Sequence, residues 1–238
     1  MRPRLSCGVL ATTGLGIVLI DDEVEMKEMA DGKQMNRRGK FRIEFILDKV
    51  RGRTVLDVGC VDHEACKEEE EQWLHGLICQ EAASVVGLDI EREEVEKLLA
   101  RGYEVVCGDA ETVDLDQRFE VCVAGELIEH LGNPLGFLRN MRRHLKAGGE
   151  IILTTPNPFY PKRLLEILVA GEAAVHPQHT TWYCPRTLGT IMRRAGFVDV
   201  VVFPFDNTER FRWLVRGMSR WRPWLSTNLL AVGRNPGG

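Results

Sequence analysis

"SVVGLDIEREEVEKLLARGYEVVCGDA", residues 84–110, holds the architecture in miniature. "SVVGLDI" (84–90) is a short apolar run of the kind that forms a strand covered on both faces. Glu91–Arg101 reads as a helix, and "YEVVCGDA" (103–110) as a strand again. A strand, a helix and a second strand in this order form a crossover unit, whose strands run parallel.

Outward from this unit the alternation continues. Upstream lies "TVLDV" (54–58), a short buried strand ending at Gly59. Before it, Phe41, Phe45, Ile46 and Val50 fall at helical spacing within Arg38–Val50. "KEEEEQWLHGLICQEA" (67–82) reads as a helix whose glutamates form a solvated start favoured by the helix dipole. Downstream come "RFEVCVAG" (118–125) as a strand, then Asn133–Lys146 as a helix stopped by Ala147-Gly148-Gly149. "EIILTTP" (150–156) is a fifth strand. A proline-rich segment (156–185) leads to a helix over Pro185–Ala195, and "FVDVVVFPF" (197–205) and "TNLLAVGR" (227–234) are the last strands. The pattern predicts an α/β fold: a doubly wound, Rossmann-like, seven-stranded, mostly parallel sheet with helices on both faces.

Composition sets bounds on this reading. The chain has 238 residues, 44% hydrophobic and 28% charged, with a net charge of −4, so nothing global points to a polyanion partner. Its seven cysteines are scattered without a CxxC pair, as reduced packing residues are, which points to the cytoplasm and to no structural disulfide. Arg2 and Arg4 precede a mostly apolar stretch, Cys7–Ile20, that resembles a short signal-peptide core. That stretch is too short to span a bilayer, and no small-x-small site precedes Asp21–Glu25. Residues 1–35 are therefore expected to be an N-terminal extension, or sequence ahead of a start at Met26, Met29 or Met35, with the folded domain over 36–238.

Ligands of such sheets bind outside the carboxyl ends of the strands. Acids stand there: Asp57, Asp89, Asp109, then Glu126 and Glu129. A dinucleotide site wants G-x-G-x-x-G after the first strand and an acid about 20 residues on. The loop "DVGCVDHEA" (57–65) has one glycine, Gly59, and Asp89 lies farther away, so a pyrophosphate cradle is not supported. An adenosine without phosphates suits the pattern: Asp89 for two ribose hydroxyls, Asp109 for the exocyclic amine, Asp57 and the Gly59 backbone for an amino-acid moiety.

The succession "VLDVGC", "VVGLDI", "VVCGDA", "FEVCVAGELIEHL" and "LKAGGEIILTTPNP" resembles the class I S-adenosylmethionine-dependent methyltransferases over about residues 50–200. The resemblance implies that Asp57 and Gly59 contact the methionine part of the cofactor, Asp89 and Ile90 the ribose, and Asp109 and Ala110 the adenine. Cys60, Gly125 and Glu126 complete the expected cofactor set. The chain departs from the family in the first loop, where Gly59-Cys60-Val61 replaces the usual G-x-G and an insertion (62–75) follows. His63 or "WLH" (73–75) would then help hold the amino-acid end, unless both histidines simply pack.

"GELIEHL" (125–131) raises the question of the acceptor. If it opens a helix, Glu126, Glu129 and His130 share one face at i, i+3 and i+4. Methyl transfer from a sulfonium needs alignment and, for a hydroxyl acceptor, removal of its proton. The E-x-x-E-H form is similar to ubiquinone-pathway O-methyltransferases, where it is linked to a divalent cation. It is also similar to small-RNA 3′-terminal 2′-O-methyltransferases, which add a later histidine. "VHPQHTTWYCP" (175–185) offers His176 or, preferred on that resemblance, His179, making Glu126, Glu129, His130 and His179 a candidate metal set. Ligand softness suits Mn²⁺, Fe²⁺, Co²⁺ or Zn²⁺, whereas the resemblance favours Mg²⁺. Two alternatives stay open: His130 and Glu129 as metal-free catalytic residues, or a structural role.

Segment 156–185 reads as a cap over a small-molecule pocket. The addition 204–226 interleaves Arg210, Arg212, Arg216, Arg220 and Arg222 with aromatics. It fits an amphipathic helix on the sheet edge, an anion-recognising surface, or an RNA or membrane contact. The expected activity is S-adenosylmethionine-dependent methylation of oxygen on a small metabolite or sugar-like acceptor. RNA 2′-O-methylation and a non-catalytic cofactor-binding module are the alternatives.

Overall fold

Apolar side chains on both faces of every central strand oblige the sheet to carry helices on both sides. The computed structural model describes residues 41–61, 73–206 and 222–237. The expected extension 1–35, His63, residues 62–72 of the first-loop insertion and 207–221 of the basic-aromatic addition lie outside the described residues. The elements are α1 (Phe41–Val50), β1 (Thr54–Val58), α2 (Leu74–Glu81), β2 (Ser84–Asp89), α3 (Arg92–Ala100), β3 (Val105–Cys107) and β4 (Phe119–Gly125). They continue with α4 (Pro134–His144), β5 (Leu145–Pro156), α5 (Pro161–Ala170), α6 (Pro185–Arg194), β6 (Val198–Phe205) and β7 (Asn228–Arg234).

The strands lie in the order β3-β2-β1-β4-β5-β7-β6. β3 through β5 in that order are parallel, and β7 runs antiparallel to both β5 and β6. The seven-stranded sheet is mostly parallel, as expected, and is made mixed by β7, which runs antiparallel to its two neighbours. Side chains alternate between its faces. Val55, Val121, Val123, Ile152 and Leu230 pack with Ile46 and Val50 of α1 and Ile78 of α2. Their neighbours Leu56, Cys122, Ala124, Ile151 and Leu153 pack with Phe137 and Met141 of α4 and Leu188 of α6. Full burial of each large apolar side chain contributes about 1.5–3 kcal/mol, so these two clusters dominate the fold's stability.

Two boundaries differ from the sequence reading. α4 ends at His144, and "LKAGG" forms the first part of β5 rather than a loop. Gly148 stands at φ 78°, its N–H donates to Asn235 O, and Asn235 Nδ2 donates to the carbonyls of Arg142, Leu145 and Lys146. The helix ends where Leu145 turns extended, and a distant asparagine satisfies the Arg142 carbonyl of its last turn. β3 is shorter than expected, which leaves Asp109 in the loop beyond it.

The site depends on where the order reverses. From β1 the chain continues to β2 on one side, and from β4 to β5 on the other, opening a crevice at their carboxyl ends. Asn157, fully buried just past β5, braces that end. Its Nδ2 donates to Trp224 O (2.8 Å) and Ser226 O (2.7 Å), and its Oδ1 accepts from Phe159 N (3.0 Å). Asn157→Ala would leave two carbonyls unpaired, at a cost of roughly 2–4 kcal/mol of unfolding free energy. Urea denaturation followed by tryptophan fluorescence measures this, and an unchanged midpoint contradicts the bracing role.

Candidate active site

A cavity of about 880 Å³ opens at the reversal point. Asp57, Gly59, Cys60, Asp89, Ile90, Asp109, Ala110, Gly125 and Glu126 all line it, as do Glu129, His130 and His179. Arg42, Trp73, His75 and His176 line it as well.

The β1 exit is built on Gly59. Its φ of 74° suits glycine, and a Cβ there would press on Leu127. Asp57, beneath it, is 3% exposed and bonds His75 Nδ1 at 2.8 Å. Among the described residues His75 Nε2 has no hydrogen-bond partner of good geometry. Burial alone would lower the His75 pKa, but hydrogen bonds and charge from Asp57 and Cys79 outweigh it and raise it to about 9. The imidazole is thus charged at neutral pH and forms a buried ion pair with Asp57. Trp73 stacks near His75 and Tyr103, and its indole N–H donates to Cys60 O at 3.1 Å. "WLH" is therefore both packing and site: it steadies a loop that lacks the second glycine.

At the β2 exit, Asp89 Oδ2 accepts from Val61 N and Oδ1 from Glu91 N, both at 3.0 Å. Each oxygen keeps a further lone pair for a ligand. Ile90 beside it is 65% exposed, an apolar surface on the cavity wall. Asp109 Oδ1 accepts from Glu111 N at 2.8 Å, fixing that carboxylate in the loop after β3.

"GELIEHL" does not form the expected helix. Glu126 stands at φ 54°, a left-handed conformation that costs a non-glycine residue roughly 1–3 kcal/mol and cannot begin a right-handed helix. Residues 128–130 make a single turn, with His130 N donating to Leu127 O. α4 starts only at Pro134, capped by Asn133, whose side chain accepts from Gly136 N. Proline disfavours helical geometry in the residue before it. Glu126, Glu129 and His130 consequently do not share one helix face. The Glu126 carboxylate meets Asn228 Nδ2 at 3.2 and 3.3 Å. Glu129 Oε2 accepts from Thr155 Oγ1 at 3.0 Å, while its Oε1 is buried without a hydrogen-bond partner among the described residues. Burial, then the charge of Glu126, raises the Glu129 carboxyl to about 8. Burial raises Glu126 too, against the opposing charge of Arg42.

His130 faces His176 and His179, with ring centroids 4.6–5.6 Å apart. Burial, then the neighbouring His130, His176 and Arg163, depress His179 to about 4. One nitrogen from each ring lies within 4.8 Å of the others. Among the described residues Glu126 and Glu129 are outside this group, so the mixed set Glu126–Glu129–His130–His179 is not assembled. Asn228 and Thr155 hold the two carboxylates instead. Arg42 and Asn228 went unnoticed in the sequence because Arg42 lies on α1 outside any motif, and Asn228 opens β7, whose antiparallel course alone brings its first residue to the crevice.

A cavity with carboxylates at three strand ends and a single-glycine turn fits a phosphate-free adenosine bearing an amino-acid arm. A family model described as "Methyltransferase domain" matches residues 32–202. The chain belongs to this family. The methyltransferase is 27% identical over 192 residues to a ubiquinone biosynthesis O-methyltransferase of Pseudomonas paraeruginosa, covering 74% of this chain and 76% of that relative. It is 26% identical to a probable S-adenosylmethionine-dependent methyltransferase of Mycobacterium tuberculosis, over 74% of this chain and 60% of the relative. A solved S-adenosylmethionine-dependent methyltransferase from Archaeoglobus fulgidus shares the fold at a TM-score of 0.56 and 20% identity, covering 90% of this chain and 100% of that one. The chain is an enzyme of the class I, S-adenosylmethionine-dependent type. No helix among the described residues is long and apolar enough to cross a membrane.

The Asp57–His75 pair gives the methyltransferase a pH signature. His75 has a folded pKa of about 9 against 6.5 unfolded, so its contribution is complete below pH 6.5 and is lost as pH rises through 9. The shift corresponds to about 3 kcal/mol. Asp57 and Cys79 set this window, and Trp73 and Tyr103 pack against the ring. The melting temperature should fall between pH 6.5 and 9 in the wild type and stay flatter in His75→Gln; identical slopes would contradict a charged His75.

Proposed function

We propose that the enzyme transfers a methyl group from S-adenosylmethionine to a hydroxyl oxygen of a small metabolite or sugar-like acceptor. The observation that carries this reading is one continuous cavity running from the strand-end acids to Glu129 and His130. S-adenosylmethionine, when bound, supplies a methyl group on a sulfonium centre whose leaving thioether needs no proton.

The chain's own residues do the rest. Asp89 accepts from the ribose hydroxyls, with Ile90 against the adjoining ring. Asp109 and Ala110 take the adenine. Asp57, Gly59 and Cys60 receive the amino-acid end, with Gly125 and Glu126 completing the wall toward the reacting centre. His75 neutralises Asp57, so that the buried carboxylate does not repel the arm's own carboxylate. Glu129 and His130 address the acceptor hydroxyl and weaken its hold on the proton. Segment 156–185, which contributes Pro156, His176, Gln178 and His179 to the wall, acts as a cap that favours a small acceptor. The unpaired cysteines, buried Cys60 and Cys122 among them, favour a reducing compartment such as the cytoplasm.

Calorimetry with S-adenosylhomocysteine tests the cofactor assignment. Asp89→Ala should weaken binding by at least about tenfold, because charge-assisted hydrogen bonds to two hydroxyls disappear. Binding of NAD in place of S-adenosylhomocysteine would overturn it. His130→Ala should lose turnover on hydroxyl acceptors while its affinity for S-adenosylhomocysteine stays within about twofold of the wild type.

A further inference from the structure

Three of the chain's six histidines meet at the rim of the cavity, each offering one ring nitrogen within 4.8 Å of the others. The histidines that serve the core are recognisable by their partners. His144 is 1% exposed, accepts from Leu115 N through Nε2 and bonds Asn140 O through Nδ1. His75 pairs with Asp57. His130, His176 and His179 are instead half-buried or exposed, line the cavity, and present their rings to one another.

Two separate segments are fastened together to achieve this. The backbone N–H groups of Thr180 and Thr181 donate to Glu129 O at 2.9 and 3.3 Å. Thr180 Oγ1 donates to Leu131 O at 2.8 Å. These bonds clamp the 176–181 loop across the 128–131 turn, with His130 on one side of the clamp and His176 and His179 on the other. His179 N donates to His176 O at 3.0 Å, closing a turn in which the two ring centroids lie 5.4 Å apart. Among the described residues no carboxylate joins this group, so the donors it offers are three ring nitrogens.

We propose that His130, His176 and His179 form a three-histidine site for one borderline-soft divalent cation of the Zn²⁺, Co²⁺ or Fe²⁺ class, with the fourth position open to the cavity. Three neutral nitrogen donors match that class, whereas Mg²⁺ demands oxygen ligands. Nitrogens around tetrahedral Zn²⁺ at 2.0–2.1 Å stand about 3.3 Å apart, so the 4.8 Å spread closes by small side-chain rotations. His176 Nδ1 accepts from Gln178 N at 3.3 Å, a long bond that cation capture displaces. The open position takes water or the acceptor hydroxyl and makes its proton easier to lose. That last role rests on the O-methylation reading; the binding of the cation does not.

The test uses the full chain, stripped of metal by a chelator and desalted, with Zn²⁺ titrated in a calorimeter and Co²⁺ followed by visible absorption. One Zn²⁺ per chain should bind, Co²⁺ should develop a tetrahedral spectrum, and Mg²⁺ should not compete. His176→Ala and His179→Ala should each weaken Zn²⁺ by at least about tenfold. The triple variant His130→Ala/His176→Ala/His179→Ala should abolish binding, and Glu126→Gln/Glu129→Gln should leave it unchanged. Melting with S-adenosylhomocysteine confirms that each variant is folded. Unaltered Zn²⁺ binding in the folded triple variant would assign the cation to cysteines and overturn the site. So would absence of Zn²⁺ binding in a wild type that binds S-adenosylhomocysteine, or equal competition by Mg²⁺. Zn²⁺ binding with the expected variant pattern upholds the site even if S-adenosylhomocysteine fails to bind, in which case the methyltransferase assignment fails alone.

Discussion

β1 and β4 lie side by side in parallel register, Asp57 opposite Val123 and Val58 opposite Ala124, and their onward connections diverge. No helix can cover the gap between two chains that leave in opposite directions. The strand ends there must therefore face either solvent or a ligand. β4 can be almost wholly apolar from Val121 to Ala124 because helices cover it on both faces. Its polar residues are displaced to its end, where Glu126 takes up a left-handed conformation and directs the chain across the crevice. The cavity is thus the necessary consequence of the sheet's order, and its chemistry is decided by what stands at each strand's last residue.

That division explains what was legible in the amino-acid sequence. Strand cores such as "VCVA" and "VVGL" announce themselves by continuous apolar runs, and an acid or glycine at the end of each run marks the crevice. The carboxylates and the single glycine of the first loop could be identified this way. Partners brought in from distant sequence could not: Asn228 reaches Glu126 across 102 positions, and Arg42 comes from a helix before the first strand. The helix expected over "ELIEH" was misleading for a local reason. Its i, i+3, i+4 pattern is real, but Asn133-Pro134 just downstream fixes where a helix can start. Of the later histidine pair, His179 alone was preferred, and on resemblance rather than on geometry. The clamp at Thr180 brings both rings, His176 as well as His179, to His130.

The departure of the first loop from its family has a physical compensation. A second glycine would have allowed close backbone approach with nothing behind it. Here Trp73 caps the Cys60 carbonyl and His75 supports Asp57 from below. Gly87 of β2 makes room for this arrangement, since a Cβ there would stand under 3 Å from Cys60 Sγ and His75. Loop flexibility is exchanged for a packed, charged underlayer, and Asp57 is held by a partner of opposite sign rather than by water. A buried pair of this kind is costly to break, about 3–5 kcal/mol when one member is lost.

The central claim is that the crevice between β1 and β4 holds the cofactor with its reacting centre toward Glu129 and His130. A crystal structure of the chain with S-adenosylhomocysteine tests this most directly. The account predicts both ribose hydroxyls within hydrogen-bond distance of the Asp89 carboxylate and the sulfur facing the Glu129–His130 turn. A ligand bound elsewhere contradicts it. So does a His130 ring more than about 10 Å from the sulfur, too far to act on an acceptor proton even through one water.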